Sequence, residues 1–528
     1  MPHSEKRTIP DPTPVRQARR GFAGFPFSLF AGLLLAIAHP PLGIFPLAWI
    51  ALAPLIRAIT EAKRPLTAAL YGYTFGWAFL GVTWYWIALT ISAWTNNLVL
   101  GIIAWFGLTA ILSLFYAGFG FASWWIVRRA KSETIGYFAM AAAWVVMEWA
   151  RTLGTLTMPW AQLSYSQFRF LPLIQISDVT GAYGVSFLVF LLNVGVAHLW
   201  RHRGEWQSAR FLWAFGMINV FACFYGMARL LEPPVGERIP VAVAQTGLNP
   251  LIKNTEAEQW AKVDGLLDRA KYLSPSPKLL AFAESDLPDD GSKSSAAASE
   301  IANRMREIPF TLAINGRSHS ARTGRETNST LLYFAGSGIL SPYDKQQLVP
   351  FGEFIPYRSL WPQSLQKTFG FFEEDVEAGT LNVPIRDHNL HLGIFICYES
   401  MYPRYSRLMT LNESNLLLTQ SNDAWFQSRA AQEQHLSAVV LRGVENRRDI
   451  VRSTTNGITC LIDAQGRILK RLPADVTDLL SGEVTLREGK TVWTRFGDLF
   501  VYACLAFLAA TLLTPQIDRF RKKRLPSN

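Results

Sequence analysis

Residues 211–245 read FLWAFGMINVFACFYGMARLLEPPVGERIPVAVAQ, and two kinds of structure meet inside that string. The segment 211–231 carries one charged side chain, Arg229, and is long enough to cross a bilayer as a helix, which takes about 20 mainly apolar residues. From about Ile239 the pattern changes, and Pro240-Val241-Ala242-Val243-Ala244-Gln245 has the length and composition of a strand. A membrane-type segment therefore hands over to a globular domain. Outward from this junction, further candidate spans lie near 22–38, 42–59, 66–90, 98–127, 134–151 and 180–200 before it, and near 496–515 far beyond it. Of the 528 residues, 50% are hydrophobic and 17% charged, against about a quarter charged in soluble domains. The layout is a tail at 1–21, seven spans within 22–231, an α/β domain at 232–495, an eighth span at 496–515 and a basic tail at 516–528.

The net charge is +11. A basic balance suits nucleic acid or an anionic membrane surface, but there is no phosphate loop, zinc-finger spacing or RNA-binding signature, and no nucleic-acid partner is expected. The charge follows topology instead. Lys6, Arg7, Arg16, Arg19 and Arg20 precede the first span, Lys63 and Arg64 follow the second, Arg128, Arg129 and Lys131 the fourth, Arg201, Arg203 and Arg210 the sixth, and Arg519 to Arg524 the last. The alternate loops hold almost none. By the positive-inside rule both tails face the cytoplasm and the large domain lies outside. Ala36-Ile37-Ala38 also fits a signal-peptide cleavage site, a competing reading of the first span.

Cys223 and Cys504 sit in apolar blocks and read as small hydrophobes, while Cys397 and Cys460 lie in the globular region, where a disulfide is the bland alternative. No Cys or His cluster suggests a metal, and no cofactor is implied. Trp84, Tyr85, Trp86, Trp94, Trp160 and Tyr165 gather at outer span ends and read as an interfacial belt. Glu148, inside the fifth span, is a functional candidate as an intramembrane carboxylate, and its structural reading is a pair with Arg151 one turn later.

In the globular part, strands are expected at 240–245, 278–283, 310–314, 329–335, 391–396 and 416–420, helices at 256–273 and 430–447, and a hairpin at 458–462 and 468–471. Such alternation indicates a layered α/β domain. Three polar residues stand out: Glu284 directly after an apolar strand, Cys397 after Leu392-Gly393-Ile394-Phe395-Ile396, and Lys345 within Tyr343-Asp344-Lys345-Gln346-Gln347. A carboxylate, a thiol and an ammonium at strand ends suit nucleophilic acyl transfer. Taken singly, each also reads as an ordinary cap, core or surface residue.

The segments Phe282-Ala283-Glu284-Ser285, Ile396-Cys397-Tyr398-Glu399, Ser421-Asn422-Asp423-Ala424-Trp425-Phe426, Gln434-His435 and Arg452-Ser453-Thr454-Thr455-Asn456-Gly457 resemble the nitrilase superfamily. Leu348-Val349-Pro350-Phe351-Gly352-Glu353, together with Glu148-Trp149-Ala150-Arg151, Pro159-Trp160 and Tyr165-Ser166-Gln167, narrows the resemblance to its membrane branch, the apolipoprotein N-acyltransferases. It departs from the family pattern at Gln347 (commonly His), Thr455 (often Asn) and Asn315-Gly316-Arg317. The resemblance implies an α-β-β-α sandwich on the periplasmic face of a bacterial inner membrane. It implies Cys397 as nucleophile, Glu284 as general base, Lys345 as oxyanion stabiliser and the Tyr398 N–H as a further oxyanion donor. Glu353 and Glu399 would orient the lysine or the base, and Asn328 would lie beside them.

The implied reaction is ping-pong. A phospholipid acylates Cys397, and the amino group of a diacylglyceryl-cysteine apolipoprotein takes the acyl chain. A free thiol has pKa about 8.5, and an elbow at a helix N-terminus beside Lys345 is expected to favour thiolate. Trp425 reads equally as a border of the acyl pocket and as core. The apolar stretch 361–372, with Phe369, Phe371 and Phe372, reads as an arm toward the interface or as a packed surface loop. The rivals are a membrane-tethered amidase using water, a transporter with an accessory domain, and a silent scaffold.

Overall fold

The structure is a computed structural model and describes residues 14–155, 158–202, 209–249, 251–252, 254–287, 296–335, 342–363, 366, 375–380 and 383–524. Phe369, Phe371 and Phe372 of the 361–372 stretch lie outside them.

Every expected span falls on helix, but the helices differ in kind. Leu98–Arg129, Ala182–Arg201 and Arg210–Leu231 are long and apolar enough to cross a membrane. Pro65–Thr83 and Tyr85–Thr95 form a pair bent by 52°, which makes up to four such spans among the described residues. The expected second span is instead three short pieces, Phe45–Leu47, Ala48–Ala51 and Ala53–Glu61, with Pro46 and Pro54 at their starts. Proline has no N–H to donate and kinks or breaks a helix interior, and here the chain starts a new helical piece at Pro46 and again at Pro54. Glu133–Ala150 begins at the cap Ser132, and Pro14–Ala38 and Leu499–Arg524 complete the helical part. Packing is close where glycine allows it: a Cβ on Gly72 or Gly120 would collide with the backbone of Tyr116 or Ala68 across the contact. The outward faces of Leu98–Arg129 and Arg210–Leu231 are apolar and bare, with Leu98, Ile103, Leu114, Trp213, Phe221 and Phe224 all exposed.

Among the described residues the globular part forms twelve strands: β1 Glu237–Gln245, β2 Leu279–Ala281, β3 Thr311–His319, β4 Glu326–Tyr333, β5 Tyr343–Asp344, β6 Ile385–Asp387, β7 Leu390–Ile396, β8 Leu416–Ser421, β9 Ile450–Thr454, β10 Cys460–Ile462, β11 Ile468–Arg471 and β12 Asp478–Leu486. They form two six-stranded sheets, β12-β1-β2-β3-β4-β5 and β11-β10-β9-β8-β7-β6. In each sheet the middle strands are parallel (β1, β2, β3; β7, β8, β9) and the edges antiparallel. The expected strands are all present, and the hairpin is β10–β11. Beyond them the structure adds β5, β6, β9 and β12.

Glu256–Lys271 and Ala296–Arg304 cover the first sheet, with Val263, Leu266, Leu267 and Ile301 against Ala242, Leu280, Phe282 and Leu312. Thr255 and Glu258 form a reciprocal capping box that starts the first of these helices. On the second sheet lie Pro403–Leu411 and Arg429–Asn446. From Ala430 to Asn446 every residue but Glu433 is buried. A helix covered all round is held between two layers, and here those layers are the second sheet and the helical part. One apolar cluster accordingly runs from Ala31 through Trp144 and Leu436 to Leu418 and Val241.

Gln434 is the fully bonded polar group at the centre of this seam. Gln434 accepts from the indole N–H groups of Trp86 (3.2 Å) and Trp160 (2.8 Å) and donates to the carbonyls of Pro40 (2.9 Å) and Thr83 (3.1 Å). Trp94 stacks on Trp425 with ring centroids 3.8 Å apart, and Thr90 donates to the Phe426 carbonyl. The interfacial-belt reading is therefore corrected for all but Tyr85, which is exposed: Trp84, Trp86, Trp160 and Tyr165 are buried, and Trp86, Trp94 and Trp160 bind the globular domain. Trp425 is half-buried in that seam rather than in a domain core. The Glu148–Arg151 pairing is corrected too. Glu148 accepts from Trp144 and from the Leu163 N–H, whereas Arg151 turns to Tyr116 and the carbonyls of Met158 and Trp160.

Candidate active site

Ligands of α/β sheets gather where parallel strands end, and here the ends of β2, β7, β8 and β9 converge. β2 runs through Phe282 and Ala283 to Glu284, β7 ends at Cys397, β8 leads into Asn422, and β9 into Thr455. Lys345 follows the short edge strand β5. Inter-sheet bonds set the spacing: Gln420 donates to the Phe282 carbonyl (2.6 Å) and accepts from Thr330, and Ser453 donates to the Ala244 carbonyl (3.0 Å).

Glu284, Lys345 and Cys397 are buried, at 4%, 1% and 8% exposure. Lys345 Nζ lies 2.9 Å from Glu284 Oε1 and 3.0 Å from Glu353 Oε1. Asn328 Nδ2 donates to the same two oxygens, at 2.8 and 2.9 Å. The second Glu284 oxygen accepts from the Asn422 N–H (2.9 Å), and the second Glu353 oxygen from the Val349 N–H (2.8 Å). Asn328 is itself held by Asn315, whose Oδ1 also accepts from the Ser285 N–H. Ser285 has φ +61°, and Thr455 donates to the Glu284 carbonyl, so Glu284 sits in a turn fixed on both sides.

Glu399 works on backbone rather than on the lysine ammonium. It accepts from the Ile396, Gln346 and Gln347 N–H groups and from the Tyr343 hydroxyl, tying the Cys397 elbow to the chain around Lys345. Burial pushes its carboxyl up to about 7 despite those donors. Gln347 accepts from Arg404 and Tyr405.

The charges are unequally placed. Burial opposes ionisation of Glu284, but Lys345 and the hydrogen-bond donors outweigh it, and the carboxyl stays below its usual range. Burial likewise opposes the Lys345 ammonium, and Glu284 and Glu353 outweigh it, raising the lysine above its usual value. Cys397 goes the other way: burial and the Glu284 charge push the thiol well up, against a smaller pull from Lys345. The expected resting thiolate is corrected to a neutral thiol, because the ammonium is already shared by two carboxylates. All four cysteines are free.

All the sequence candidates except Trp425 are thus found in one connected cluster. Asn315, Asn422, Thr455, Asp423, His435 and Arg452 also belong to its frame. Most of them stand inside the motifs that carried the resemblance, which was the available signal. Among the described residues the group that could hold a metal is Glu133, His198 and His202, within 4.8 Å of one another. It lies at the other end of helix Glu133–Ala150 from Glu148, and His198 there is bonded to the Tyr137 hydroxyl.

Comparison with known proteins matches both halves of the chain. Residues 31–195 match the apolipoprotein N-acyltransferase N-terminal domain, and residues 241–492 match the carbon-nitrogen hydrolase family. An apolipoprotein N-acyltransferase of Geobacter metallireducens is 33% identical over 91% of this chain and 92% of its own length. One from Azotobacter vinelandii is 30% identical over 90% and 92%. With both halves matched in order and the likeness running nearly end to end, the chain belongs to the apolipoprotein N-acyltransferase family.

Proposed function

We propose that the chain moves an acyl chain from a membrane phospholipid, through a thioester on Cys397, to the N-terminal amino group of diacylglyceryl-cysteine apolipoproteins. The observation that carries this reading is the buried Glu284–Lys345–Cys397 cluster at converging strand ends, in a domain packed on the apolar helical part along the buried helix Arg429–Asn446 and the Trp94–Trp425 contact. Glu284 takes the thiol proton as sulfur attacks the ester carbonyl. The tetrahedral oxyanion faces Lys345 and the Tyr398 N–H. Its collapse breaks the ester C–O bond, and Glu284 returns the proton to the departing lysophospholipid oxygen. The acceptor amine then attacks the thioester, Glu284 takes a proton from it, and collapse expels the Cys397 sulfur, which regains a proton as the amide forms.

Both substrates are lipids, and each CH₂ moved out of the bilayer costs about 0.8 kcal/mol. The bare apolar faces of Leu98–Arg129 and Arg210–Leu231 support placing the helical part in a membrane. The Lys and Arg bias supports eight crossings with both tails cytoplasmic and the catalytic domain on the periplasmic face of an inner membrane. The test is incubation of the detergent-solubilised protein with phospholipid bearing a labelled acyl chain and no amine. One label per chain, released by neutral hydroxylamine, lost in Cys397→Ser and kept in Cys460→Ser, is expected. Hydrolysis of soluble amides with no lipid-derived label would replace this reading by an amidase using water.

A further inference from the structure

Cys397 has φ +48°, a left-handed turn that an L residue holds only under constraint. The peptide that follows is a rigid plane, so the Cys397 carbonyl and the Tyr398 N–H point in opposite directions. Whatever fixes the carbonyl therefore aims the N–H. Ser400 Oγ donates to that carbonyl at 2.7 Å, and His435 Nε2 lies 2.6 Å from Ser400 Oγ and 3.1 Å from the carbonyl itself. Ser400 and His435 are both buried.

The histidine is itself held. Its Nδ1 lies 3.1 Å from Asp423 Oδ1 and 3.3 Å from Arg452 Nη2. Arg452 donates to Asp423 Oδ2 (2.8 Å) and to the Ile458 carbonyl, and Ser421 donates to Asp423 Oδ1 (2.7 Å). Gly457 closes over Asp423 so tightly that a Cβ there would meet the carboxylate. From the helical part Trp160 stacks on the imidazole, with centroids 5.5 Å apart, and Phe426 meets it edge-on. Because the Ser400 hydroxyl spends its proton on the Cys397 carbonyl, the Nε2–H donates to Ser400 Oγ, while Nδ1 sits between the Asp423 carboxylate and the Arg452 guanidinium.

We infer that His435 is a positioning residue which, through Ser400, locks the peptide between Cys397 and Tyr398 with its N–H aimed at the oxyanion. The inference rests on the acyl-transfer reading above and adds to it a part played from behind the nucleophile. It predicts a separation of two reactions of the same sulfur. Acylation by an ester makes an oxyanion and needs the N–H, whereas alkylation by iodoacetamide is a direct displacement at carbon and does not.

The experiment measures both on the full-length protein in detergent. The burst of p-nitrophenolate from p-nitrophenyl butyrate reports acylation, and mass spectrometry of the Cys397 peptide reports alkylation. His435→Asn reaches only the Nδ1 position, and Ser400→Ala breaks the relay while leaving the imidazole. Each should slow the burst about tenfold to a hundredfold, as expected for a misaimed oxyanion donor, with alkylation within about threefold of wild type. His435→Gln places an amide N–H near the Nε2 position and should stay within about fivefold in both. A burst at wild-type rate in His435→Asn and Ser400→Ala overturns the inference, as does an equal fall in burst and alkylation. A wild-type protein with no burst overturns the acyl-transfer reading and this inference together. A wild-type burst without acylation by phospholipid removes the lipid donor alone, and the comparison of variants still decides the role of His435.

Discussion

Replacing Lys345 by methionine keeps most of the side-chain volume and removes one positive charge from between two carboxylates. Glu284 and Glu353 are both buried and both bonded to one Asn328 amide, so they would be left facing each other with no counter-ion. Breaking a buried pair by removing one partner costs about 3–5 kcal/mol, and the size of the loss should depend on pH. In the wild type Glu284 titrates below its unfolded value, so its contribution is present above about pH 4.3 and fades as pH falls through the folded value. Lys345 titrates above its unfolded value, so its contribution is complete below about pH 10.4 and fades only as pH rises through the folded value. Across pH 5–8 the Glu284–Lys345 pair therefore adds no slope of its own to the wild-type stability. In Lys345→Met, burial, the largest influence on Glu284, acts unopposed by an ammonium and lifts its carboxyl above the usual range. The variant then takes up a proton on folding, and the gap to wild type narrows on going from pH 8 to pH 5 by about 1.4 kcal/mol per pH unit over which that proton is bound. Thermal unfolding in detergent at pH 5, 6.5 and 8 reads this directly. Lys345→Met/Glu353→Gln, which leaves one buried carboxylate, should recover part of the loss at pH 8. A gap that is the same at pH 5 and pH 8, or a double variant no more stable than the single one, would show that Lys345 acts by packing and refute the electrostatic account.

Burial holds the Cys397 thiol above the usual range, so its second-order rate constant with iodoacetamide should still be rising at pH 9.5; a plateau below pH 8 would mean a resting thiolate. Gln434→Leu strands the indole N–H groups of Trp86 and Trp160 and the carbonyls of Pro40 and Thr83. At about 1–3 kcal/mol for a buried polar group left without a partner, the melting temperature should fall by several degrees, and an unchanged value would show that the seam draws nothing from these bonds. A reporter fused after residue 240 should be active only outside the cytoplasm and one after residue 528 only inside, with the reverse pattern overturning the orientation.

The α/β half was largely legible because its strands are apolar runs bounded by turns, and because Glu284 and Cys397 stand where such runs stop. β12 escaped notice because it lies at a sheet edge against β1, and its exposed residues, such as Ser481, blur the apolar pattern. β5 is two residues long and exists only through its pairing with β4. In the helical half, composition marked the right stretches but could not separate a straight helix from the pieces around Pro46 and Pro54. The aromatic residues misled for a physical reason. A tryptophan at a membrane surface and one at a buried polar seam both need an apolar body and a single N–H donor, and only the partner, Gln434 in one case and Trp425 in another, tells them apart. The thiol misled because an adjacent lysine predicts a thiolate only when its charge is not already spent on Glu284 and Glu353.

With Glu284 and Glu353 ionised, Lys345 protonated and Cys397 neutral, the resting cluster carries one net negative charge. On the proposed path the thiol proton moves to Glu284 while sulfur attacks, so the negative charge leaves the carboxylate and arrives on the oxyanion. The net charge does not change at any step. Adding a second net negative charge would be costly in so buried a site, whereas moving one charge past a fixed ammonium is not. Lys345 loses the ionised Glu284 at the moment the oxyanion appears, and Glu353 keeps it protonated and in place throughout. A thiolate at rest would instead put three anions around one ammonium. The neutral thiol and the paired carboxylates are therefore parts of one arrangement, and Glu353→Gln tests it: with its second anchor neutralised, Lys345 should follow the charge less well, and acylation should slow while Cys397 alkylation does not. Equal slowing of both reactions would show that Glu353 supports the fold of the site rather than the charge on its lysine.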